Sequence, residues 1–187
     1  TIRSGDTVSN MSGILTFSWS GSGGTDNYRL QPTAVPTYTH SNPRLTVPIP
    51  ISGTVRMASF NVLNYFNGDG AGGGFPTSRG ADSLAEFTRQ RDKLLTALTG
   101  LNGDIIGLNE LENSTGVEPL ASITSGMPGY DYIATGTIGT DAIKVGLIYR
   151  PAVVTPVGDF KLLTTAVDSR FIDTKSRPSL AQTFEVN

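Results

Sequence analysis

The chain has 187 residues, enough for one medium domain or a small domain with part of another, so a sizeable core is expected. Its 14 Lys and Arg stand against 16 Asp and Glu, a net charge of −2, which excludes a protein that coats nucleic acid through bulk positive charge and makes any phosphate chemistry local. Cysteine is absent, so a disulfide framework, thiolate metal sites and a cysteine nucleophile are excluded together. The 22 Gly and 11 Pro with 37% apolar content point to short strands and many turns. No apolar run is long enough to span a bilayer, and the opening TIRSGDTVSN has neither the basic nor the apolar region of a signal peptide. A mature or trimmed product, or a protein never exported, is expected.

In GILTFSWS, Leu15, Phe17 and Trp19 alternate with Thr16 and Ser18, the period of a half-buried strand. GSGGTDN turns the chain and YRLQP resumes an extended run, which predicts a β-hairpin over residues 12–31. Pro32, Pro36, Pro43, Pro48 and Pro50 then deny ladder donors, and the stretch reads as a linker ending near residue 52. This divides the chain into a β-rich part, 1–52, and a second domain, 53–187.

From Thr54 the apolar run TVRMASFNV predicts a buried strand, followed by the Gly-rich FNGDGAGGGFPTSRGA. Ser83 and Glu86 have capping-box spacing, Leu84, Phe87, Leu94, Leu95 and Leu98 form an apolar stripe, and Gly100 supplies a stop, so a helix is expected over 83–99. GDIIGLNELEN reads as the next buried strand, and YDYIATG, AIKVGLIYR, AVVTPVGDF and SLAQTFEVN as further short ones. A β-α-β crossover of this length lets strands 54–60 and 104–109 run parallel, with their C-terminal ends at one edge. Asn61 leaves the first strand there and Glu110 the second, so an amide and a carboxylate converge where loops open a crevice. A carboxylate steadied by an amide suits a hard cation such as Mg²⁺, although the same two residues also read as a turn cap and a solvated acid.

The ordered set ASFNVLNYF, RGADSLAEFTRQRDKLLTAL, GDIIGLNELEN, DAIKVGLIYRP and RPSLAQTFEVN resembles the endonuclease/exonuclease/phosphatase superfamily, and among it the secreted bacterial nucleases, over residues 53–187. The resemblance implies an α/β fold, the N-terminal part of a four-layer αββα sandwich, and phosphodiester hydrolysis dependent on Mg²⁺ (or Mn²⁺ or Ca²⁺). It also implies a secreted bacterial enzyme with a nucleic acid substrate, DNA rather than RNA, and no membrane partner. Residues 1–52 resemble the closing strands of the OB-like domain that often precedes such nucleases.

By the same resemblance Glu110 is the metal ligand, Asn61 sits by the metal and scissile phosphate, Asp141 faces that phosphate and Arg177 binds it. Arg150 matches a common family residue but reads as a strand-end surface arginine, and Glu112 and Asn113 as shapers of the loop after the ligand. The family's catalytic histidine follows an asparagine matching Asn187, whereas the sequence holds one histidine, His40, in the Pro-rich stretch. The later Asp-x-Asn and Asp-His motifs are absent too, so the expectation is a segment of a longer enzyme whose missing partner is its own C-terminal half, inactive alone.

The competing class is a non-catalytic secreted β-module that binds nucleic acid or another surface. Phe17, Trp19 and Tyr28 could stack bases, but alternating aromatics more simply pack a sheet face. The Gly-rich loop 68–74 lacks the Lys-Ser or Lys-Thr of a nucleotide cradle and reads as a mobile edge of the site. Arg89, Arg91 and Lys93, among Glu86 and Asp92, read as a solvated helix face.

Overall fold

The computed structural model describes residues 2–19, 21, 24–43, 45 and 49–187. Pro48 of the expected linker and Ser20, Ser22 and Gly23 of the hairpin turn lie outside the described residues. The chain divides into two compact units, Thr1–Thr46 and Val47–Asn187.

The first unit holds β1 (Thr7–Val8), β2 (Gly13–Trp19), β3 (Asp26–Pro32) and β4 (Tyr38–Thr39). β2 and β3 pair antiparallel with Leu15 opposite Leu30 and Phe17 opposite Tyr28, whose ring centroids are 5.0 Å apart. The half-buried strand read from the sequence is not what forms. Leu15, Phe17, Trp19 and Tyr28 are all more than 60% exposed, because a two-stranded ribbon has no second layer to bury them and the rings shelter only one another. Part of the stretch read as linker is also strand: β4 pairs with β1, and the Asp6 carboxylate accepts from the Arg3 and Ser41 N–H groups and shares a hydrogen bond with His40 Nδ1.

The second unit comprises β5 (Met57–Tyr65), α1 (Leu84–Leu101), β6 (Ile105–Glu112), α2 (Pro119–Thr124), β7 (Asp131–Tyr132), β8 (Ile143–Tyr149), β9 (Val154–Leu163) and β10 (Ser179–Val186). Among the described residues the protein is therefore mixed α/β, mostly strand with two helices, in several small sheets. A four-stranded sheet runs in the order β5-β6-β8-β7, with β5 and β6 parallel as the crossover requires. β8 lies antiparallel to β6 and β7, and β9 and β10 form an antiparallel ribbon. Neither helix is long and apolar enough to cross a membrane.

α1 starts where the capping box puts it: Ser83 Oγ accepts from the Glu86 N–H, and Glu86 Oε2 reaches back to the Asp82 N–H. Two details differ from expectation. Leu84 is 48% exposed, and Phe87, Leu94 and Leu98 carry the buried stripe. The helix also runs through Gly100 and ends at Asn102, which takes the left-handed cap (φ 51°) and donates its N–H to Leu98. α2 forms in a stretch to which the sequence reading assigns no element; Pro119 opens it and the Glu118 side chain caps the Leu120 N–H.

The helices cover one sheet face, burying Val62, Tyr65, Leu98, Ile106, Leu108, Leu111, Leu120 and Ile148 in one core. On the other face Ile105, Ile133, Tyr149 and Val154 pack with Phe160 and Phe184 of the ribbon, the Tyr149 and Phe184 rings 5.4 Å apart. Asp104 pins the starts of β5 and β6 and the end of β8. Its backbone N–H donates to Arg56, its Oδ2 accepts from the Arg56 N–H, its carbonyl accepts from the Arg150 N–H, and its Oδ1 meets the Arg150 guanidinium at 3.4 Å.

The Gly-rich loop, expected as a mobile edge, is a hydrogen-bonded unit built on Asp69. Oδ1 accepts from the Ala71 and Gly73 N–H groups at 2.8 and 2.9 Å, and Gly68 (φ 64°) must be glycine because a Cβ would strike the Gly73 carbonyl. The Ala71 and Gly73 N–H groups hold the Asp69 carboxyl below its ordinary range. A depressed folded value means the loop's stabilisation is complete above the ordinary aspartate value and fades as pH falls through the lowered one. NMR titration of the Ala71 and Gly73 amides should therefore show a midpoint below about 3.9, the unperturbed aspartate value; a midpoint at or above it would refute this anchoring.

Candidate active site

At the C-terminal ends of β5 and β6 the parallel ladder loses its register. Asn61 pairs with Asn109 and Tyr65 with Leu111, so three residues of β5 face the single residue Glu110. On its other side β6 slips against β8 between Leu108 and Leu111. The mismatch is taken up by left-handed backbone at Leu63 (φ 57°), Asn64 (φ 49°) and Glu110 (φ 66°), three non-glycine residues at one spot. Its effect is visible in the core: Val62 to Tyr65 and Leu108 to Leu111 are odd steps, yet all four side chains are buried on the helix side. The bulge thereby frees Asn61, Asn109 and Glu110 at the edge without costing the core its alternation.

Specific bonds hold this geometry. Asn61 Oδ1 accepts from the Leu63 N–H at 2.8 Å, and Glu110 Oε2 accepts from the Asn64 N–H at 3.1 Å. The amide that steadies Glu110 is thus the Asn64 backbone, while the Asn61 side chain caps the turn beside it. From α1, Gln90 Nε2 donates to the Val62 and Leu63 carbonyls at 3.2 and 2.8 Å. Sequence reading missed Gln90, whose signal was only its position one turn after Phe87 on the helix that packs against β5.

The loops beyond the strand ends are tied by buried polar groups. Glu112 accepts from the Asn67 N–H and the Ser114 hydroxyl, each at 2.8 Å. The Asn113 side chain donates to the Ile138 and Asp141 carbonyls and accepts from the Ile138 N–H. Lys144, with a side chain 1% exposed, donates to the Glu118 carboxylate and the Gly136 carbonyl. Glu112 and Asn113 shape the loop, as their spacing after Glu110 suggested.

Asp141 is presented by that loop between two arginines. Oδ2 lies 3.0 Å from Arg177 Nε and Oδ1 lies 3.3 Å from Arg79 Nη1. Arg177, Asp141 and Asn109 line an open cleft of about 590 Å³. A second cleft of about 720 Å³ runs along the helix side past Asn61, Asn64, Arg79, Arg89, Gln90 and Lys93. Arg79 opens the motif RGADSLAEFTRQRDKLLTAL, but the sequence reading gives it no role of its own. Asp173, also in the first cleft, has both oxygens engaged by the Thr165 N–H and hydroxyl, which hold its carboxyl below the ordinary range. Arg150 lies at the opposite edge, on Asp104, Asn102 and the Tyr130 ring, as a structural strand-end residue. His40 belongs to the other unit, on Asp6.

Among the described residues no three or more His, Cys, Asp or Glu side chains gather as a metal cage. The donor set at the edge, one carboxylate with a single backbone bond beside two asparagines, fits a hard cation that keeps most of its shell as water and phosphate oxygen.

No protein-family model matches the chain, and no curated protein matches it. Among solved structures, it is similar to the endonuclease/exonuclease/phosphatase from Bacteroides vulgatus, with 20% identity and a TM-score of 0.38. The match covers 58% of this chain and 35% of that one, so this chain spans about a third of that protein's length.

Left-handed backbone at an exposed leucine is costly, and Leu63 is 74% exposed. Leu63→Gly should therefore stabilise the fold by about 1 kcal/mol in urea unfolding. A loss of stability would mean that the bulge is not strained at this position.

Proposed function

We propose that this chain carries part of the active site of a secreted bacterial nuclease that hydrolyses phosphodiesters of nucleic acid, DNA rather than RNA, with Mg²⁺ or a related divalent cation. The observation that carries the reading is Glu110, held by left-handed backbone at the shared C-terminal edge of two parallel strands, next in the chain to Asn109, which lines a cleft with Asp141 and Arg177. The ordered motifs through residues 53–187 support it, and we place the strands and helices in a four-layer αββα sandwich that residues 1–52, an OB-like fragment, precede.

In this reading Glu110 holds the cation, its Oε1 carrying no protein bond among the described residues, and Asn61 keeps the adjoining turn in place. The bound cation would supply neutralisation of the charge that develops on phosphorus-bound oxygens. Arg177 binds a nonbridging oxygen and Asp141 faces the same phosphate. Unit Val47–Asn187 contains no histidine, so no imidazole of this unit takes the proton from water near neutral pH. The expected behaviour of the 187-residue chain is cation and phosphate binding without turnover; the complementing group belongs, in this proposal, to a C-terminal half of the same enzyme.

Mn²⁺ titration followed by electron paramagnetic resonance tests the assignment. Glu110→Gln should bind Mn²⁺ far more weakly than wild type, and Asn61→Ala should lose about 10–100-fold in affinity, the range of groups that orient ligands. Unchanged affinity in Glu110→Gln would refute the ligand. In a plasmid-nicking assay with Mg²⁺ or Mn²⁺, the chain alone should be inactive; cation-dependent nicking abolished by Glu110→Gln would show that another base is present.

One observation favours the second reading, a non-catalytic nucleic-acid-binding module: the exposed row of Phe17, Trp19 and Tyr28 on the hairpin. In that case oligonucleotide binding would quench the single Trp19 and persist unchanged in EDTA and in Glu110→Gln.

A further inference from the structure

Asp141 brings together two arginines from segments far apart in sequence: Arg79 from the end of the Gly-rich connection before α1, and Arg177 from the turn before β10. Each guanidinium spends one nitrogen on the carboxylate, Arg79 its Nη1 and Arg177 its Nε. Their other nitrogens make no protein hydrogen bond among the described residues, and the side chains are 47% and 42% exposed. Three charges, two positive and one negative, leave a local excess of +1 on a chain whose net charge is −2.

As a bare surface ion pair this would be worth little. Its placement is what gives it meaning. The Asp141 carbonyl accepts from the buried Asn113 side chain at 2.8 Å, which ties the backbone that carries the carboxylate to the core. Arg79 lines the cleft that holds Asn61 and Asn64, and Arg177 the cleft that holds Asn109, so the ion-paired group bridges the two depressions on either side of the bulge. Planar guanidiniums with free N–H groups at a set spacing match the oxygens of a tetrahedral phosphate far better than flexible point charges do.

We propose that Arg79, Asp141 and Arg177 form a phosphate clamp, in which both arginines contact the bound phosphate and Asp141 is a positioning residue that sets their spacing. The proposal rests on the phosphodiester reading of the same edge and adds Arg79 to it. The ligand chemistry is a phosphate with at least two free oxygens, which a nucleic acid strand or a free phosphate would both present. Within the proposed function, the clamp holds a phosphate of a DNA strand.

The test is fluorescence anisotropy with a labelled single-stranded DNA 12-mer in EDTA, across a series of salt concentrations, with inorganic phosphate as competitor. Arg79→Gln should weaken binding and reduce the slope of log affinity against log salt by about 0.7, the loss of one phosphate contact on a single strand. Arg79→Lys keeps the charge but not the fork, so it should keep the slope and lose affinity. Asp141→Asn makes the surface more positive, yet it should bind more weakly because one neutral acceptor no longer spaces two guanidiniums. Tighter DNA binding by Asp141→Asn, or an Arg79→Gln variant equal to wild type in affinity and slope, overturns the clamp. If wild type fails to bind DNA but binds inorganic phosphate in an Arg79-dependent way, detected by NMR shifts of the arginine Nε–H groups, the clamp stands and the nucleic acid reading falls. If neither is bound, the clamp is refuted as well.

Discussion

Two parallel strands cannot place three residues opposite one without leaving the extended conformation, and most of what distinguishes the candidate site follows from that mismatch. Glu110 has no partner position in the ladder on either side, so its backbone turns left-handed and its carboxylate meets the Asn64 N–H. Leu63 and Asn64 accept the same conformation, which for residues with a Cβ costs energy that other contacts must offset. The offset is visible in the bonds from Gln90, Asn61 and Glu110 and in the burial of Tyr65 and Leu111 just past the bulge.

The loops above this edge owe their shape to polar groups placed inside apolar surroundings, where leaving them unpaired would be expensive. Glu112, Asn113 and Lys144 are each nine-tenths buried or more and each satisfied by a loop rather than by a strand. Loop conformation is therefore specified by the requirement to satisfy these groups, and Asp141 inherits its position from Asn113. The charges that face the clefts are held by neutral bonds one layer down.

How much of this was legible depends on whether the determining interaction is local. The capping box of α1 could be read directly because Ser83 and Glu86 meet within one turn. The parallel pairing followed from the length of the crossover, and the strand of the site residues from apolar runs. The end of α1 was misplaced because Gly100 is the commoner stop, whereas the left-handed cap falls on Asn102, which then serves Arg56 and Arg150. The hairpin's exposure was missed because alternation reports a face and says nothing of whether another layer covers it. The bulge was invisible: left-handed backbone at Leu, Asn and Glu carries no glycine to announce it. Arg79 escaped for a related reason, since its partner Asp141 is remote in the chain and only the fold brings them together.

Asp104 lends the opposite end of the sheet a further meaning. By binding the Arg56 and Arg150 backbones as well as the Arg150 side chain, it fastens β5, β6 and β8 to one another at their shared lower margin. Strands clamped at that margin cannot slide to absorb an extra residue, because a slip would turn buried side chains outward along their whole length. The surplus is driven to the far end, much as slack in a ruled sheet stapled along one side gathers at the other. The chemistry proposed for the upper edge is in this sense set by an aspartate at the lower one, a whole strand length away from any substrate.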